Sequence, residues 1–305
     1  MLVITGSSGF IGKKLVESLS NREKLLLLRG TASNFRGGVL YSHSPNELLK
    51  HRDAFSKNSV IIHLAGLAHV KGSSKEAFEE ANVLYPVELF KAAENLNVKR
   101  FVFVSSIGVN GESTSFGAPF APNSIASPHS EYARSKYRAE LKLKELAKNS
   151  RVELVIVRPP LVYGSSAPGN FSLLTKFVAK IGVTPFGLAS NRRSFVSVEN
   201  LCSLLEICAD HPRAAGNTFL ASDNETVSIK EFTDAIAKGQ GTRVYHLPVP
   251  ITLIRILGKV MGKSSVVDQL FGNLEVDSSN ANELLDWTPP LTMKQAMTSL
   301  RNLSN

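Results

Sequence analysis

Short apolar runs alternate with amphipathic segments through the first half of the chain, and this alternation limits the fold more than any other feature. Mostly apolar runs predict strands at 2–5, 24–28, 60–64, 101–105 and 154–157. Apolar residues at helical spacing predict helices between these strands, at 11–19, 77–96 and 130–147. Continuous apolar strands that alternate with helices indicate a parallel sheet covered by helices on both faces. We therefore predict an α/β fold.

A glycine-rich turn follows the first predicted strand and opens the first predicted helix. Its glycines have the spacing GxxGxxG, and each has a separate use: Gly6 permits the tight turn, Gly9 lets the backbone approach a pyrophosphate, and Gly12 lets the helix lie against the strand. The helix N-terminus would offer free N–H groups to the phosphates. The turn therefore predicts a dinucleotide site whose contacts are Gly6, Ser8, Gly9, Phe10, Ile11 and Gly12.

The sequence pattern changes after residue 164. A loop rich in glycine, serine and proline at 164–170 is followed by shorter and more varied segments. These segments predict a strand at 215–221 and helices at 229–238 and 251–261. The change of pattern indicates a second, smaller domain.

The sheet and the turn together predict a doubly wound, Rossmann-like arrangement. We place this dinucleotide-binding domain at 1–164 and expect it to include 193–222 as well, because 195–210 has the pattern of further core sheet and helix. The smaller mixed α/β domain at 165–305 would bind the substrate.

The end of the second predicted strand bears on the choice of cofactor. An NAD site usually places an acid there to bind the adenosine ribose. This strand ends at Arg29 instead, and Arg29, together with Arg36, could pair with the 2′-phosphate of NADP. We therefore favour NADP(H) as the cofactor and keep NAD(H) as the alternative. A solvent-exposed Arg29, or one stacked on adenine, is the simpler explanation of this residue.

Three residues predict a site of proton transfer. Tyr132 and Lys136 stand four apart on a predicted helix, so they project from one face. A nearby ammonium should stabilise the phenolate and lower the pKa of the tyrosine, which suits an acid/base at neutral pH. Ser106 follows the buried strand at 101–105, at the edge of the sheet where ligands bind. We predict Ser106, Tyr132 and Lys136 as the catalytic residues.

The order of these motifs resembles the extended short-chain dehydrogenases/reductases, and within them the nucleotide-sugar epimerases and dehydratases. The resemblance extends to nearly the whole chain, because further motifs match. They are His-Leu-Ala-Gly at 63–66, Arg-Pro-Pro-Leu-Val-Tyr-Gly at 158–164 and Leu-Asp-Trp-Thr-Pro-Pro at 285–290, in which Asp286 replaces a glycine of the family pattern.

The resemblance implies roles for individual residues. Tyr132 would be the acid/base, Lys136 would also hold the nicotinamide ribose, and Ser106 would bind the oxygen on sugar C4. Asn170 and Arg193 would hold the diphosphate of a UDP-linked sugar, and an arginine fork suits phosphate oxygens on chemical grounds as well. The further cofactor contacts would be Leu64, Ala65, Gly66, Asn82 and Pro159.

The residues after Ser106 narrow the reaction. Sugar 4,6-dehydratases carry an acidic pair there, whereas this chain has Ile107 and Gly108, so the chemistry is expected at C4 alone. Arg29 favours an NADPH-dependent reductase of a UDP-4-keto-6-deoxy-N-acetylhexosamine in the synthesis of bacterial surface polysaccharides. The alternative is a 4-epimerase of UDP-glucose or a UDP-N-acetylhexosamine. A third hypothesis is a non-catalytic dinucleotide sensor.

Charge and composition limit the partners. The net charge is +9, but the cations are scattered and nucleic-acid motifs are absent from the sequence. Cys202 and Cys208 are expected to be buried thiols, and we predict no metal site. We expect no membrane span, a cytoplasmic location, and a homodimer through the helices at 77–96 and 130–147. The apolar-basic segment at 250–263 is expected to be a helix of the core or of the substrate domain, with contact to a membrane surface as the alternative.

The cofactor preference gives the first prediction. If Arg29 pairs with a 2′-phosphate, the chain should bind NADPH more tightly than NADH. Titration of each reduced cofactor, followed by its fluorescence, measures this directly. Tighter binding of NADH would contradict the role given to Arg29.

Overall fold

The computed structural model describes residues 1–28, 34–36, 38–42, 44–68 and 73–303. Its strands, in chain order, are β1 (Leu2–Thr5), β2 (Lys24–Leu28), β3 (Asn34–Arg36), β4 (Val39–Tyr41), β5 (Val60–His63), β6 (Arg100–Val104), β7 (Glu153–Arg158), β8 (Val162–Tyr163), β9 (Val183–Thr184), β10 (Arg193–Ser194), β11 (Val196–Ser197), β12 (Thr218–Leu220), β13 (Thr226–Val227) and β14 (Tyr245–His246).

The α-helices are α1 (Phe10–Ser18), α2 (Lys75–Glu79), α3 (Tyr85–Asn95), α4 (Glu131–Ala147), α5 (Asn170–Ile181), α6 (Val198–Asp210), α7 (Ile229–Gln240), α8 (Ile251–Val260), α9 (Ser264–Phe271), α10 (Ser279–Leu285) and α11 (Met293–Met297). A π-helical turn, Glu80–Leu84, joins α2 to α3. The 3₁₀ segments are Pro45–Ala54, Ile107–Val109, Pro212–Ala214 and Thr298–Leu303.

The central sheet has the strand order β12-β7-β6-β5-β1-β2-β4-β3. Neighbouring strands are parallel from β12 to β4, and β3 pairs antiparallel with β4 at the edge. Strand order reverses at β1, whose Leu2 lies opposite Lys24 of β2 on one side and Val60 of β5 on the other. The predicted doubly wound, Rossmann-like sheet is therefore confirmed.

Side chains of the central strands pack alternately on the two faces of the sheet, as a pleated strand requires. Leu2 and Ile4 belong to the core that α1 and α6 cover, whereas Val3 belongs to the core that α3 and α4 cover. Both faces of the sheet are thus apolar. This explains why the sequences of the strands are continuous apolar runs and do not alternate between apolar and polar residues.

Several boundaries differ from the predictions. The single helix predicted at 77–96 is interrupted by the π-helical turn, and the strand predicted at 215–221 is shortened to β12. The sequence did not predict β3, β4 or the 3₁₀ segment Pro45–Ala54, which is polar and has a weak periodicity. Tertiary contacts of the sheet edge, which local patterns do not encode, place these elements.

A third core lies in the part of the chain that follows residue 160. Its centre is aromatic: the rings of Phe195 and Phe232 stack with centroids 3.9 Å apart, and Tyr163 meets Phe232 edge-on. The division into domains stays a prediction, although α6 packs on the central sheet and β12 extends its edge, as expected for 193–222. Among the described residues, no helix is long and apolar enough to cross a membrane.

A buried arginine ties the sheet to the end of α6. Arg100, at the start of β6, is fully buried, and its Nη1 donates to the carbonyl oxygens of Cys208, Ala209 and His211 at 2.8–2.9 Å. Its Nε donates to Glu153 on β7 at 2.7 Å. A cation suits the negative end of a helix, and it satisfies carbonyl groups that the helix leaves unpaired.

Arg100→Met should therefore destabilise the chain strongly. Loss of a charge-assisted buried network is expected to lower the free energy of unfolding by about 3 kcal/mol. Urea denaturation followed by circular dichroism measures the change. Arg134→Met is the matched control, because Arg134 pairs with Glu131 on an exposed helix surface, where such pairs contribute at most about 0.5 kcal/mol. Equal losses in the two variants would contradict this account.

Candidate active site

The glycine turn brings three backbone segments into direct contact. Gly6 has φ +70°, and a Cβ on it would lie 2.7 Å from the backbone nitrogen of Ala65, in the segment that follows β5. A Cβ on Gly12 would overlap the carbonyl oxygen of Gly6. Only glycine fits both positions without moving backbone, as the sequence predicted. The close approach brings β1, α1 and the end of β5 together at the carboxyl edge of the sheet.

The N-terminus of α1 is available to an anion. Gly9 caps the helix and has no side chain to accept the free N–H groups, and the first turn carries no acidic residue. Ser8 beside it is exposed, whereas Phe10 and Ile11 are partly buried and pack on the core. A helix N-terminus with unpaired N–H groups favours phosphate oxygens. The turn therefore fits a pyrophosphate.

Asn82 fixes the loop after β5. Its Oδ1 accepts from the backbone N–H of Leu67 at 2.7 Å, and its Nδ2 donates to the Leu67 carbonyl and to Ser135 Oγ, both at 2.9 Å. Gly66 lies against this amide, since a Cβ there would be 3.0 Å from Asn82 Oδ1 and 3.4 Å from Lys136 Nζ. Asn82 sits in the π-helical turn, a feature frequent at functional sites. It positions the loop segment at 64–67.

The structure brings the three predicted catalytic residues together beyond the end of β6. The Ser106 hydroxyl is close enough to the Tyr132 phenol to lower its pKa. Lys136 Nζ donates to the carbonyl of Val104 at 2.8 Å and lies 4.5 Å from the centre of the Phe103 ring. Ser106, Tyr132 and Lys136 thus meet at the carboxyl edge of the sheet, where an open α/β fold binds ligands.

Ser106 also caps its own turn. Its Oγ accepts from the backbone N–H of Gly108 at 3.1 Å, at the start of a 3₁₀ turn. The backbone N–H of Ile107 donates to the carbonyl of Pro159 at 2.9 Å, which joins this turn to the end of β7. The capping bond fixes the direction of the Ser106 hydroxyl, and the hydroxyl still reaches Tyr132.

The protonation of the site differs from the sequence prediction. Burial raises the pKa of Tyr132 to about 12, and the hydrogen bond from Ser106 offsets only part of this. Burial also lowers the pKa of Lys136 to about 8, against the effect of Glu140. The expected lowering of the Tyr132 pKa by Lys136 was therefore wrong, because desolvation favours the neutral forms of both groups.

A buried ion pair that the sequence analysis missed supports α4, the helix that carries Tyr132 and Lys136. Arg158, at the end of β7, donates two hydrogen bonds to Glu140 of α4, at 2.8 and 2.5 Å, and a third to Asn110 at 3.0 Å. Glu140 lies one turn beyond Lys136 on the same helix face. The available signal was Arg158 itself, a charged residue that ends an otherwise apolar strand.

His63 is the second residue that the sequence analysis left without a role. Its Nδ1 is hydrogen-bonded to Thr5 Oγ1 at 2.8 Å, and Thr5 Oγ1 accepts from the backbone N–H of Ala65 at 3.3 Å. The imidazole stacks on the ring of Phe103, which also contacts Lys136. His63 thus links the strand before the glycine turn to Phe103 and, through it, to Lys136.

The predicted diphosphate ligands lie on other elements. Asn170 begins α5, is exposed, and its Nδ2 is 3.4 Å from Gln269 Oε1. Arg193 is partly buried, its Nη1 donates to the Gly272 carbonyl at 3.0 Å, and burial lowers its pKa to about 10. Both side chains therefore meet the segment at 269–272, and their roles stay predictions. Arg29 lies outside the described residues.

Comparison with known proteins agrees with this geometry. The family model described as the NAD dependent epimerase/dehydratase family matches residues 2–221. A relative from Vibrio cholerae named UDP-glucose 4-epimerase is 40% identical over 303 residues, which cover 96% of this chain and 92% of that protein.

Solved structures with the same fold include a UDP-glucose 4-epimerase from Thermotoga maritima with UDP-glucose. It has a TM-score of 0.75 and 20% identity, with coverage of 100% of this chain and 99% of that one. A structure of RMD from Pseudomonas aeruginosa complexed with NADPH has a TM-score of 0.75 and 18% identity, with coverage of 99% and 97%. On the match over residues 2–221 and the relative at 40% identity, the chain belongs to the NAD dependent epimerase/dehydratase family.

Proposed function

We propose that this chain is a UDP-sugar 4-epimerase, which inverts C4 of UDP-glucose or a UDP-N-acetylhexosamine. The observation that carries the proposal is the convergence of Ser106, Tyr132 and Lys136 at the carboxyl edge of the sheet. The name and 40% identity of the Vibrio cholerae relative support a 4-epimerase over the reductase that Arg29 alone favoured. A 4-epimerase and a 4-ketoreductase would use the same three residues. They differ in the cofactor, which an epimerase regenerates in each turnover and a reductase consumes.

The residues present fit a dinucleotide. Gly6 and Gly12 let β1, α1 and the segment after β5 pack closely, and the α1 N-terminus suits a pyrophosphate. Gly66 lets its loop pass close to Asn82 and Lys136. Lys136 would hold the nicotinamide ribose, with Pro159 flanking the same edge. When bound, a nicotinamide would accept hydride from C4 in its oxidised form and return hydride to C4 in its reduced form, and the oxidised ring would place a positive charge near the phenol.

Tyr132 would then move the proton at the sugar. Its Oη removes the proton of the 4-hydroxyl as that carbon is oxidised, and later returns it to the oxygen of the inverted centre. Ser106 Oγ holds the same oxygen by a hydrogen bond, and the capping bond from Gly108 keeps it oriented. Because burial raises the pKa of Tyr132, nearby positive charge is required to form the phenolate.

The residues after Ser106 restrict the reaction to C4. Ile107 is buried, and a Cβ on Gly108 would lie 3.2 Å from the Ala133 side chain. Neither residue carries a group that can transfer a proton. An elimination across C5 and C6 needs a second acid/base pair, so a dehydratase is disfavoured and a 4-epimerase fits.

The remaining partner assignments stay proposals. Asn170 and Arg193 are assigned to the diphosphate, with NAD(P) as cofactor and the cytoplasm as location. A homodimer through the helical segments 75–95 and 131–147 is supported by Leu84 and Leu141, two exposed leucines on these segments. The contacts between α4 and the π-helical turn place both segments on one side of the molecule.

The proposed activity predicts interconversion of a UDP-sugar without added reductant. Purified protein with catalytic NAD(P)⁺ should convert UDP-N-acetylglucosamine or UDP-glucose to its 4-epimer, measured by chromatography. Tyr132→Phe should lower kcat by at least about 10²-fold while leaving dinucleotide affinity nearly unchanged, since it removes only the proton-transfer group. Tyr137→Phe, on the same helix, is the matched control and should retain activity.

The reductase would become the better assignment if two results occurred together. The protein would consume NADPH stoichiometrically with a UDP-4-keto-6-deoxy-N-acetylhexosamine, and it would form no epimer from a UDP-sugar with catalytic NAD(P)⁺. Normal turnover by Tyr132→Phe would contradict both.

Lys136 predicts a characteristic dependence on pH. Its ammonium supports the Tyr132 phenolate only while it is protonated, and its pKa is lowered to about 8. At saturating cofactor, kcat of Lys136→Met should therefore lie furthest below the wild-type kcat at pH values below 8. The difference between the two kcat values should shrink as pH rises, because the wild-type lysine then also loses its charge. Lys144→Met, exposed on the same helix, is the control. A ratio of variant to wild-type kcat that stays constant from pH 6 to 10, roughly two units either side of the Lys136 pKa, would contradict an electrostatic role of Lys136.

A further inference from the structure

Helix α8 is apolar on two opposite sides. Ile251 and Ile254 pack on the third core, and Gly258 is buried against Val267 of α9. The opposite side carries a second apolar stripe at the spacing i, i+3, i+4, i+7. These side chains and their exposed fractions are Leu253 (47%), Ile256 (60%), Leu257 (52%) and Val260 (81%). A helix of this kind normally has a partner on both sides.

Cations lie beside the exposed stripe. Arg255 and Lys259, one turn apart, occupy the flank between the two apolar sides, and Lys263 follows the helix. The sequence from 241 to 267 contains no aspartate or glutamate. Asp268 of α9 lies 4.0 Å from Arg255 at an exposed position, where such a pair is weak. The stripe therefore has a basic border.

Helix α5 repeats the arrangement. Leu173, Phe177 and Ile181 form an exposed stripe with the spacing i, i+4, i+8, and Lys176 and Lys180 lie on the adjoining flank. The sequence from 154 to 198 contains no acidic residue. Two separate helices thus carry the same combination of exposed apolar and basic side chains.

The strands β9 and β14 connect the two helices. β9 follows α5 directly and pairs with β14, so that exposed Val183 lies opposite exposed Tyr245. Leu247, also exposed, accepts a hydrogen bond from the backbone N–H of Gly187, and four residues then lead from β14 into α8. We call the exposed side chains of α5, β9, β14 and α8 the apolar-basic surface. Apolar side chains in such numbers mark an interaction surface.

We propose that the apolar-basic surface docks the protein on an anionic lipid bilayer. An interfacial helix inserts its apolar side at the boundary of headgroups and acyl chains, and lysines and arginines on its flank meet the anionic headgroups. The stripe of α8 with its border of Arg255, Lys259 and Lys263 has this form. Docking leaves the buried side of α8 on the third core, so the fold does not change. The association is peripheral, and it is independent of the proposed epimerase activity.

Charge favours the bilayer over a second copy of this chain. Two copies that met through this surface would bring the basic borders together, because the nearby acids Asp234 and Asp268 already pair with cations of the same chain. The segments 154–198 and 241–267 contribute no further acidic residue. Like charges at an interface oppose association. An anionic bilayer provides both an apolar interior and compensating negative charge.

Co-sedimentation of the full chain with vesicles tests the proposal. Phosphatidylcholine vesicles that contain phosphatidylglycerol should bind the protein, pure phosphatidylcholine vesicles should bind it weakly, and added salt should reduce binding. Ile256→Gln combined with Val260→Gln should lower the partition coefficient about tenfold or more. Lys259→Gln combined with Lys263→Gln should lower it about fivefold for each cation removed.

Matched controls lie on other surfaces. Lys91→Gln with Lys99→Gln removes two exposed cations from α3 and the segment before β6, and Tyr41→Gln with Ile125→Gln removes two exposed apolar side chains. Both control pairs should bind like wild type, and all variants should keep the wild-type unfolding midpoint because the replaced groups are exposed.

The proposal is overturned if the wild type stays in the supernatant with anionic vesicles, binds both vesicle types equally, or responds alike to the test and control pairs. Self-association of the wild type that Ile256→Gln with Val260→Gln abolishes, without vesicle binding, would assign the surface to a second copy instead.

Discussion

Close backbone contact at the glycine turn is the constraint on which the rest of the site depends. Gly6 touches the backbone of the segment after β5, and Gly12 lies on the carbonyl of Gly6, so β1, β5 and α1 are held at distances that a Cβ would prevent. Because these strands are parallel, their carboxyl ends open on the same edge of the sheet. The predicted dinucleotide site and the predicted catalytic residues Ser106, Tyr132 and Lys136 therefore lie at the same edge of the sheet.

Burial of Tyr132 and Lys136 opposes the charged forms that the proposed proton transfer needs. Desolvation favours the neutral forms of both Tyr132 and Lys136, which raises the pKa of the phenol and lowers the pKa of the amine. A phenol with a raised pKa is a poor base alone, but it holds its proton until positive charge arrives beside it. In the proposed mechanism, the Tyr132 phenol would need positive charge beside it to act as a base, and the electrostatic role of Lys136 would depend on pH.

Local features of the site could be predicted from the sequence, whereas features that depend on tertiary packing could not. The glycine turn depends on a spacing of three residues within a strand–turn–helix. Tyr132 and Lys136 depend on a spacing of four residues, which places both on one face of a helix. The π-helical turn at Asn82 depends on packing against Leu67 and Ser135, which are distant in sequence. The sign of the Tyr132 pKa shift was missed for the same reason, since burial is set by the whole fold.

The pair of Arg158 and Glu140 shows how such tertiary contacts support the chemistry. A buried ion pair gains little net stability, because desolvation of both charges offsets their attraction. Its two parallel hydrogen bonds are nevertheless directional, and they fix α4 on the end of β7 one turn from Lys136. The third bond, to Asn110, reaches the loop that follows Ser106. One guanidinium thus aligns α4, which carries the phenol and the amine, with the loop that carries the hydroxyl, so the geometry of the proposed proton transfer would be set by buried contacts outside the three residues themselves.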